Sequence, residues 1–267
     1  MGTTIGEIFD FLHSIAPFEY QESYDNAGLI VGDREKECSG AITCLDSTEA
    51  VIDEAIQMGA NLVVAHHPIV FRGLKRFNGA NYVEKAIIKA IKNDIAIMAI
   101  HTNLDNVIYN GVNERIAQQI GLENIRPLVV KKEIDQSAGP VGSGVIGNLP
   151  LAMGEMDFLR SLKHKMNVKV VKHTQLLGNR VSNVAVCGGV GGFLLKDAIR
   201  STAQVFITSD YKYHEFFDAN NRIVIADIGH YESEQFTINL LQELISRNFS
   251  TFAAHCTKVN TNPVNYL

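Results

Sequence analysis

Residues 41–70 read AITCLDSTEAVIDEAIQMGANLVVAHHPIV, and the fold class follows from their pattern. AITCL is a short apolar strand. In DSTEAVIDEAIQMG, Asp46 stands where a helix cap belongs, Val51, Ile52, Ala55 and Ile56 recur at helical spacing, and Gly59 provides the stop. LVVA is a second strand, running directly into His66 and His67. Two apolar strands joined by an amphipathic helix form a unit that favours parallel pairing. The same rhythm extends in both directions. TIGEIFDFLHSIAP places Ile5, Ile8, Phe9, Leu12 and Ile15 on one helical face; Thr4 and Glu7 form a capping box and Pro17 ends the helix. YVEKAIIKAIKN reads as a helix, IAIMAI as a strand and GVNERIAQQIG as a further helix.

The texture changes at residues 123–150, ENIRPLVVKKEIDQSAGPVGSGVIGNLP, which are richer in Gly, Pro and charge. This places a boundary near 126 and predicts two lobes, 1–126 with 230–267 and 127–229. The second lobe is expected to run helix (Glu155–Lys165), strand (VKVV), strand (VSNVAV), Gly-rich loop, helix, strand (QVFITS), helix and strand (RIVIADI). A final long helix, ESEQFTINLLQELISR, then returns to the first lobe. The expectation is a two-lobed layered α/β fold with largely parallel or mixed sheets. The matching rhythm of its halves suggests a diverged duplication.

Composition narrows the function classes. The 267 residues carry a formal net charge of −5 and no long basic run, which argues against a nucleic-acid partner. The four cysteines, Cys38, Cys44, Cys187 and Cys256, show no CxxC pairing, so neither a disulfide framework nor a zinc finger is expected. The N-terminal residues MGTTIGEIFDFL lack the basic and apolar regions of a signal peptide, and no apolar run approaches the ~20 residues of a membrane span. A soluble cytoplasmic protein without membrane contact is the expectation.

Polar residues gather where strands end: Asp46 after AITCL, His66 and His67 after LVVA, His101 after IAIMAI, and His230 just after RIVIADI. Ligands of open α/β sheets bind outside the carboxyl ends of the strands. HTNLDN sets His101 and Asp105 four apart, and GHYESE does the same for His230 and Glu234, a spacing that lets two side chains grip one cation. Each of these residues also has an ordinary structural use, as a loop hydrogen bonder or a helix-terminal carboxylate. Together His66, His67, Asp105, His230 and Glu234 supply three imidazoles and two carboxylates. One metal takes three or four protein ligands, so five suit two divalent ions. Neighbouring strand residues point to opposite faces, and His66 and His67 would each serve one of them, with Pro68 stiffening the turn. Zinc, iron, manganese, cobalt and nickel all accept such donors.

The motifs DNAGLIVG (25–32), LDST (45–48), AHHPIVF (65–71), HTNLDN (101–106), CGGVGGF (187–193), TSDYKYHE (208–215) and GHYESE (229–234) occur in an order that resembles the Ngg-interacting-factor-three-like family. Its members are dinuclear metal centre proteins known as GTP cyclohydrolase type 2 homologues. The resemblance implies a two-lobed α/β protein assembling into a homohexameric ring. It also implies two metal ions per chain on the same five ligands, with Glu234 between the metals. Tyr24 and Ser209 depart from the family pattern, which has Trp and Gly there. The function expected is a metal-dependent hydrolase on a nucleotide or phosphorylated small molecule. The alternative is a non-catalytic assembly for metal storage, delivery or regulation through protein partners. His101 and His214 are the candidate acid–base or supporting residues, and Asn26 and Asp46 are possible polar groups of the pocket. The glycines of 188–192 either cradle phosphate on backbone N–H groups or make a tight strand–helix turn.

Overall fold

The computed structural model describes residues 2–131 and 139–267. The chain divides into two compact units, Met1–Leu104 with Thr237–Pro263, and Asp105–Phe236 with Val264–Leu267. The sequence-based division lay instead near 126 and 230. Part of the Gly- and Pro-rich stretch that suggested it, residues 132–138, lies outside the described residues.

The first unit is built on five strands, β1 (Gly28–Val31), β2 (Ala41–Cys44), β3 (Leu62–Ala65), β4 (Ala96–Ala99) and, from the far end of the chain, β11 (Ala254–Cys256). Their order is β1-β4-β3-β2-β11. The last four run parallel and β1 pairs antiparallel with β4. Side chains alternate across β2. Ile42 and Cys44 pack with Val51, Ile52 and Ala55 of α2 (Glu49–Met58) and Ala86, Ile87 and Ala90 of α3 (Tyr82–Lys92). Thr43 points the other way and donates to Ile238 O of α9 (Thr237–Asn248) at 2.9 Å. Each Ile or Val withdrawn from water in this layer contributes ~1.5–3 kcal/mol. Helix α1 (Ile5–Ile15) has the expected capping box of Thr4 and Glu7, and Gly59 closes α2 in the left-handed conformation. Asp46 does not cap α2: that position belongs to Thr48, whose hydroxyl accepts from Val51 N. Two potential caps stand two residues apart, and Asp46 is taken by other partners.

In the second unit six strands follow the order β5-β6-β8-β9-β10-β7, from β5 (Glu123–Val130), β6 (Gly142–Gly154), β7 (Lys172–His173), β8 (Arg180–Val190), β9 (Val205–Ser209) and β10 (Val224–Asp227). The sheet is mixed, since β8, β9 and β10 run parallel and the outer pairings are antiparallel. Short helix α4 (Thr102–Asp105) leads into this unit, followed by α5 (Val112–Ile120), α6 (Glu155–Lys165), α7 (Leu195–Arg200) and α8 (His230–Glu234). Helices α5 and α6 pack on β6 and β8, which assigns residues 105–126 to this unit.

Three sequence readings are corrected here. The pairing residues after α6 are Lys172 and His173, one step beyond VKVV. The expected long final helix is two, α8 and α9, interrupted at 235–236. The Gly-rich stretch is only partly a loop: β8 continues through Gly188 and Gly189 to Val190, with a register irregularity after Val186, and the tight strand–helix turn is confined to Gly191 and the 3-10 segment Gly192–Leu194 before α7. Strands β5 and β6 went unread because Pro127 in the one and four glycines in the other imitate a loop. At Gly142 a Cβ would stand 2.2 Å from Val129 O, so the close pairing of these two strands requires the glycine. Among the described residues no helix is long and apolar enough to cross a membrane.

Candidate metal centre

Parallel pairing in the first unit continues past the ends of its strands. His66 N donates to Cys44 O at 3.0 Å, His67 N to Leu45 O at 2.9 Å and Ile100 N to Ala65 O at 3.0 Å. The carboxyl ends of β2, β3 and β4 are thereby held level, and Asp46, His66, His67 and His101 follow them. The three rings lie 5.0–5.4 Å apart between centroids, and each offers a nitrogen within 4.8 Å of the others, a group that could hold a metal ion. His66 is fully buried.

Each imidazole is fixed through Nδ1. His66 Nδ1 donates to Ile100 O at 2.9 Å, His67 Nδ1 to Asp46 Oδ1 at 2.9 Å and His101 Nδ1 to Asp25 Oδ1 at 2.8 Å. A carbonyl or carboxylate acceptor at Nδ1 selects the tautomer whose Nε2 carries the lone pair, the pattern of metal-ligating histidines. The acceptors are secured in turn. Thr261 Oγ1 donates to Asp46 Oδ2 at 2.7 Å, and Thr102 donates to Asp25 through both N and Oγ1. Burial pushes the Asp25 carboxyl up, but the hydrogen bond and charge of His101 and the bond from Thr102 outweigh it and hold its pKa down to about 2. Asp46 is lowered in the same way, its burial offset by His67 and Thr261. Both acceptors are therefore carboxylates at neutral pH.

The second unit arranges its donors by the same logic. His230 follows β10 and opens α8, and its Nδ1 donates to Asp210 Oδ2 at 2.7 Å, leaving Nε2 3.2 Å from Glu234 Oε2. Asp210 follows β9 with a φ of 59°, a left-handed conformation that costs a non-glycine residue ~1–2 kcal/mol. Asp105 and Glu234 offer carboxylate oxygens within 4.8 Å of each other.

The β8 glycines make room for these groups. Gly189 has φ +60°, and a Cβ there would lie 2.4 Å from Glu234 Oε1. Gly189 N donates to Ser233 Oγ, and Gly188 N to Asn113 Oδ1, while Asn113 Nδ2 donates to the Asp105 carbonyl. Ser209 donates to Gly189 O at 2.6 Å and so fixes the irregular strand end. Burial raises the Cys187 thiol, and the charges of Asp105 and Glu234 raise it further. Its sulfur is accordingly a neutral thiol, and the metal-capable donors are nitrogen and oxygen.

The structure groups His101 with His66 and His67 as a nitrogen donor. His214 is exposed on the 3-10 segment Tyr213–Ala219, stacked against Phe217, and among the described residues belongs to none of the metal-capable groups. Asn26 is a loop anchor, donating to Val70 O at 2.7 Å. The sequence reading missed Asp25 and Asp210 as partners of histidines. They lie 76 and 20 residues from those partners, beyond any spacing rule. The strand-end position of Asp210 was the one available signal.

Residues 3–263 match the family profile described as Duf34/NIF3 (NGG1p interacting factor 3). The chain belongs to this family. A Clostridium perfringens relative named GTP cyclohydrolase 1 type 2 homolog is 34% identical over 231 residues, covering 86% of each chain. Among solved structures, a Staphylococcus aureus hypothetical protein superposes with a TM-score of 0.90 at 28% identity over 100% of both chains. A Bacillus cereus protein related to NIF3 gives 0.90 at 25% identity, covering 99% of each chain. The two α/β units described above are therefore a NIF3 fold, and its His, Asp and Glu groups are candidate metal ligands.

Proposed function

We propose that this NIF3-family chain holds two divalent cations with His66, His67, Asp105, His230 and Glu234 as ligands, and hydrolyses a nucleotide or phosphorylated small molecule with them. The observation that carries this reading is the uniform fixing of four imidazoles through Nδ1, which leaves every Nε2 as a donor. The donor chemistry fits: imidazole and carboxylate without thiolate suits zinc, iron, manganese, cobalt or nickel. Two such ions, when bound, polarise the bond under attack and acidify a coordinated water. The chain's own residues do the rest. Asp46 and Asp210 orient His67 and His230, and Gly189 leaves space for the Glu234 carboxylate. To His101, held by Asp25, this reading assigns the uptake and return of a proton. The names of the relatives, GTP cyclohydrolase 1 type 2 homolog, support a purine nucleotide as the first substrate to try.

The test is elemental analysis of purified wild type and Glu234→Ala, with turnover of GTP and a phosphoester panel measured on both. About two metals per chain are expected in the wild type, falling to one or fewer in a variant whose circular dichroism is unchanged, with loss of turnover. A folded wild type without metal would end the reading. A fully metallated protein that turns over nothing would favour the storage or delivery alternative. The homohexameric ring is part of the same proposal. Its check is light scattering, with an expected mass six times the 29.4 kDa of the chain.

A further inference from the structure

The loop that leaves His66 and His67, PIVFRGLKRFNGAN (68–81), contains Arg72, Lys75 and Arg76 and not one Asp or Glu. In a chain of net charge −5, such a run concentrates positive charge where the candidate ligands begin. All three cations are exposed, and none makes an ion pair among the described residues. Several cations elsewhere in the first unit are paired: Arg34 with Asp10, Lys36 with Asp94, and Lys89 with Asp53. Two aromatic rings accompany the loop's cations, Phe71 at 50% and Phe77 at 59% exposure. Phe71 stands edge-on to the His101 ring at 5.7 Å, so one face of the metal-capable group is bordered by a half-open aromatic ring.

The loop is held in place. Asn26 Nδ2 grips Val70 O at its start. Val70 and Leu74 pack on the core beneath. Glu84 accepts from Asn78 N at 3.1 Å and Ala80 N at 3.0 Å at its end. Between these anchors the exposed side chains are Phe71, Arg72, Lys75, Arg76 and Phe77. Two kinds of group, guanidinium or ammonium and aromatic face, recognise two kinds of chemistry: phosphate oxygens and a planar ring. Arg72 follows Phe71 directly in the chain, and both side chains are exposed.

We propose that residues 71–77 form the recognition subsite for a planar, polyanionic ligand such as a nucleoside polyphosphate, with Arg72, Lys75 and Arg76 binding the phosphates and Phe71 the ring. The subsite rests on the hydrolase reading for its role in turnover, but its binding can be measured without any chemistry. The experiment titrates metal-loaded and EDTA-treated protein with GTP, guanosine and inorganic triphosphate by calorimetry, at low and raised salt. Wild type is compared with Arg72→Ala/Arg76→Ala and with Phe71→Ala.

Metal-loaded wild type is expected to bind GTP more tightly than guanosine. The double variant should weaken GTP and triphosphate by about tenfold or more and flatten the salt dependence, with metal content unchanged. Phe71→Ala should weaken GTP and guanosine but not triphosphate. Equal affinity of wild type for GTP and guanosine, no binding of any of the three, or wild-type GTP affinity in the double variant would overturn the proposal. Triphosphate binding that survives EDTA and is lost in the double variant, in a protein that never held two metals, would uphold the subsite while the metal reading fell.

Discussion

A histidine serves a metal through Nε2 only when its Nδ1 hydrogen has an acceptor elsewhere, and here the acceptor is a carboxylate for His67, His101 and His230. The imidazoles were legible in the sequence because they follow apolar strands. Their carboxylates were not, since contact across a sheet edge leaves no mark on spacing. Asp46 had two readings, helix cap and polar group of the pocket; Thr48 takes the cap, and tertiary contact with His67 and Thr261 gives Asp46 the second role. Asp46→Asn keeps the shape but permits an amide to present the wrong atom to His67. It is expected to weaken metal binding by ~10–100-fold with little change in fold, as read by competition with a fluorescent chelator.

Asp25 links the same geometry to pH. Its carboxyl falls from an ordinary 3.8 to about 2 on folding, so its stabilising contribution is complete above about pH 4 and fades as pH drops toward 2. Urea unfolding of the metal-free protein should show wild type ahead of Asp25→Asn by ~1–2 kcal/mol near pH 6. The gap should narrow from pH 4 downward.

At the scale of elements, amphipathic helices were the readable part and glycine-bearing strands the unreadable part. Helix α6 was expected at Glu155–Lys165 and occurs there, since charge and apolar spacing agree along it. Strand β8 reads as a loop from Cys187 onward because Gly188, Gly189 and Gly191 carry no strand propensity. Their positions make sense only once Glu234, Ile116 and Thr208 are seen beside them. Gly189→Ala would force a Cβ into the Glu234 carboxylate at a positive φ. The expected result is a loss of ~1–2 kcal/mol in thermal stability together with reduced metal content. A Ser209→Gly variant, which relaxes only the bond to Gly189 O, should be milder in both measurements.

At the scale of the whole molecule, each unit sets metal-capable histidines at the carboxyl edge of parallel strands, His66, His67 and His101 beyond β3 and β4 in one and His230 beyond β10 in the other. The sequence showed this placement before any partner was known, because strand, turn and His recur in order. Ligands that bind only the folded chain raise its stability by mass action. Exhaustive chelation should therefore lower the melting temperature, and restoring metal at a hundred times its Kd should return ~2.7 kcal/mol. The first unit, however, is not contiguous in the chain. It takes back Thr237–Pro263 after the long Asp105–Phe236 portion of the second unit, and β11 pairs with the edge of β2 while α9 covers that strand's Thr43 face. During synthesis, then, the first hundred residues emerge with an unpaired parallel edge and an uncovered apolar layer. They wait for residues 237–263, and His67, whose Asp46 is steadied by Thr261, is set only after those residues have followed.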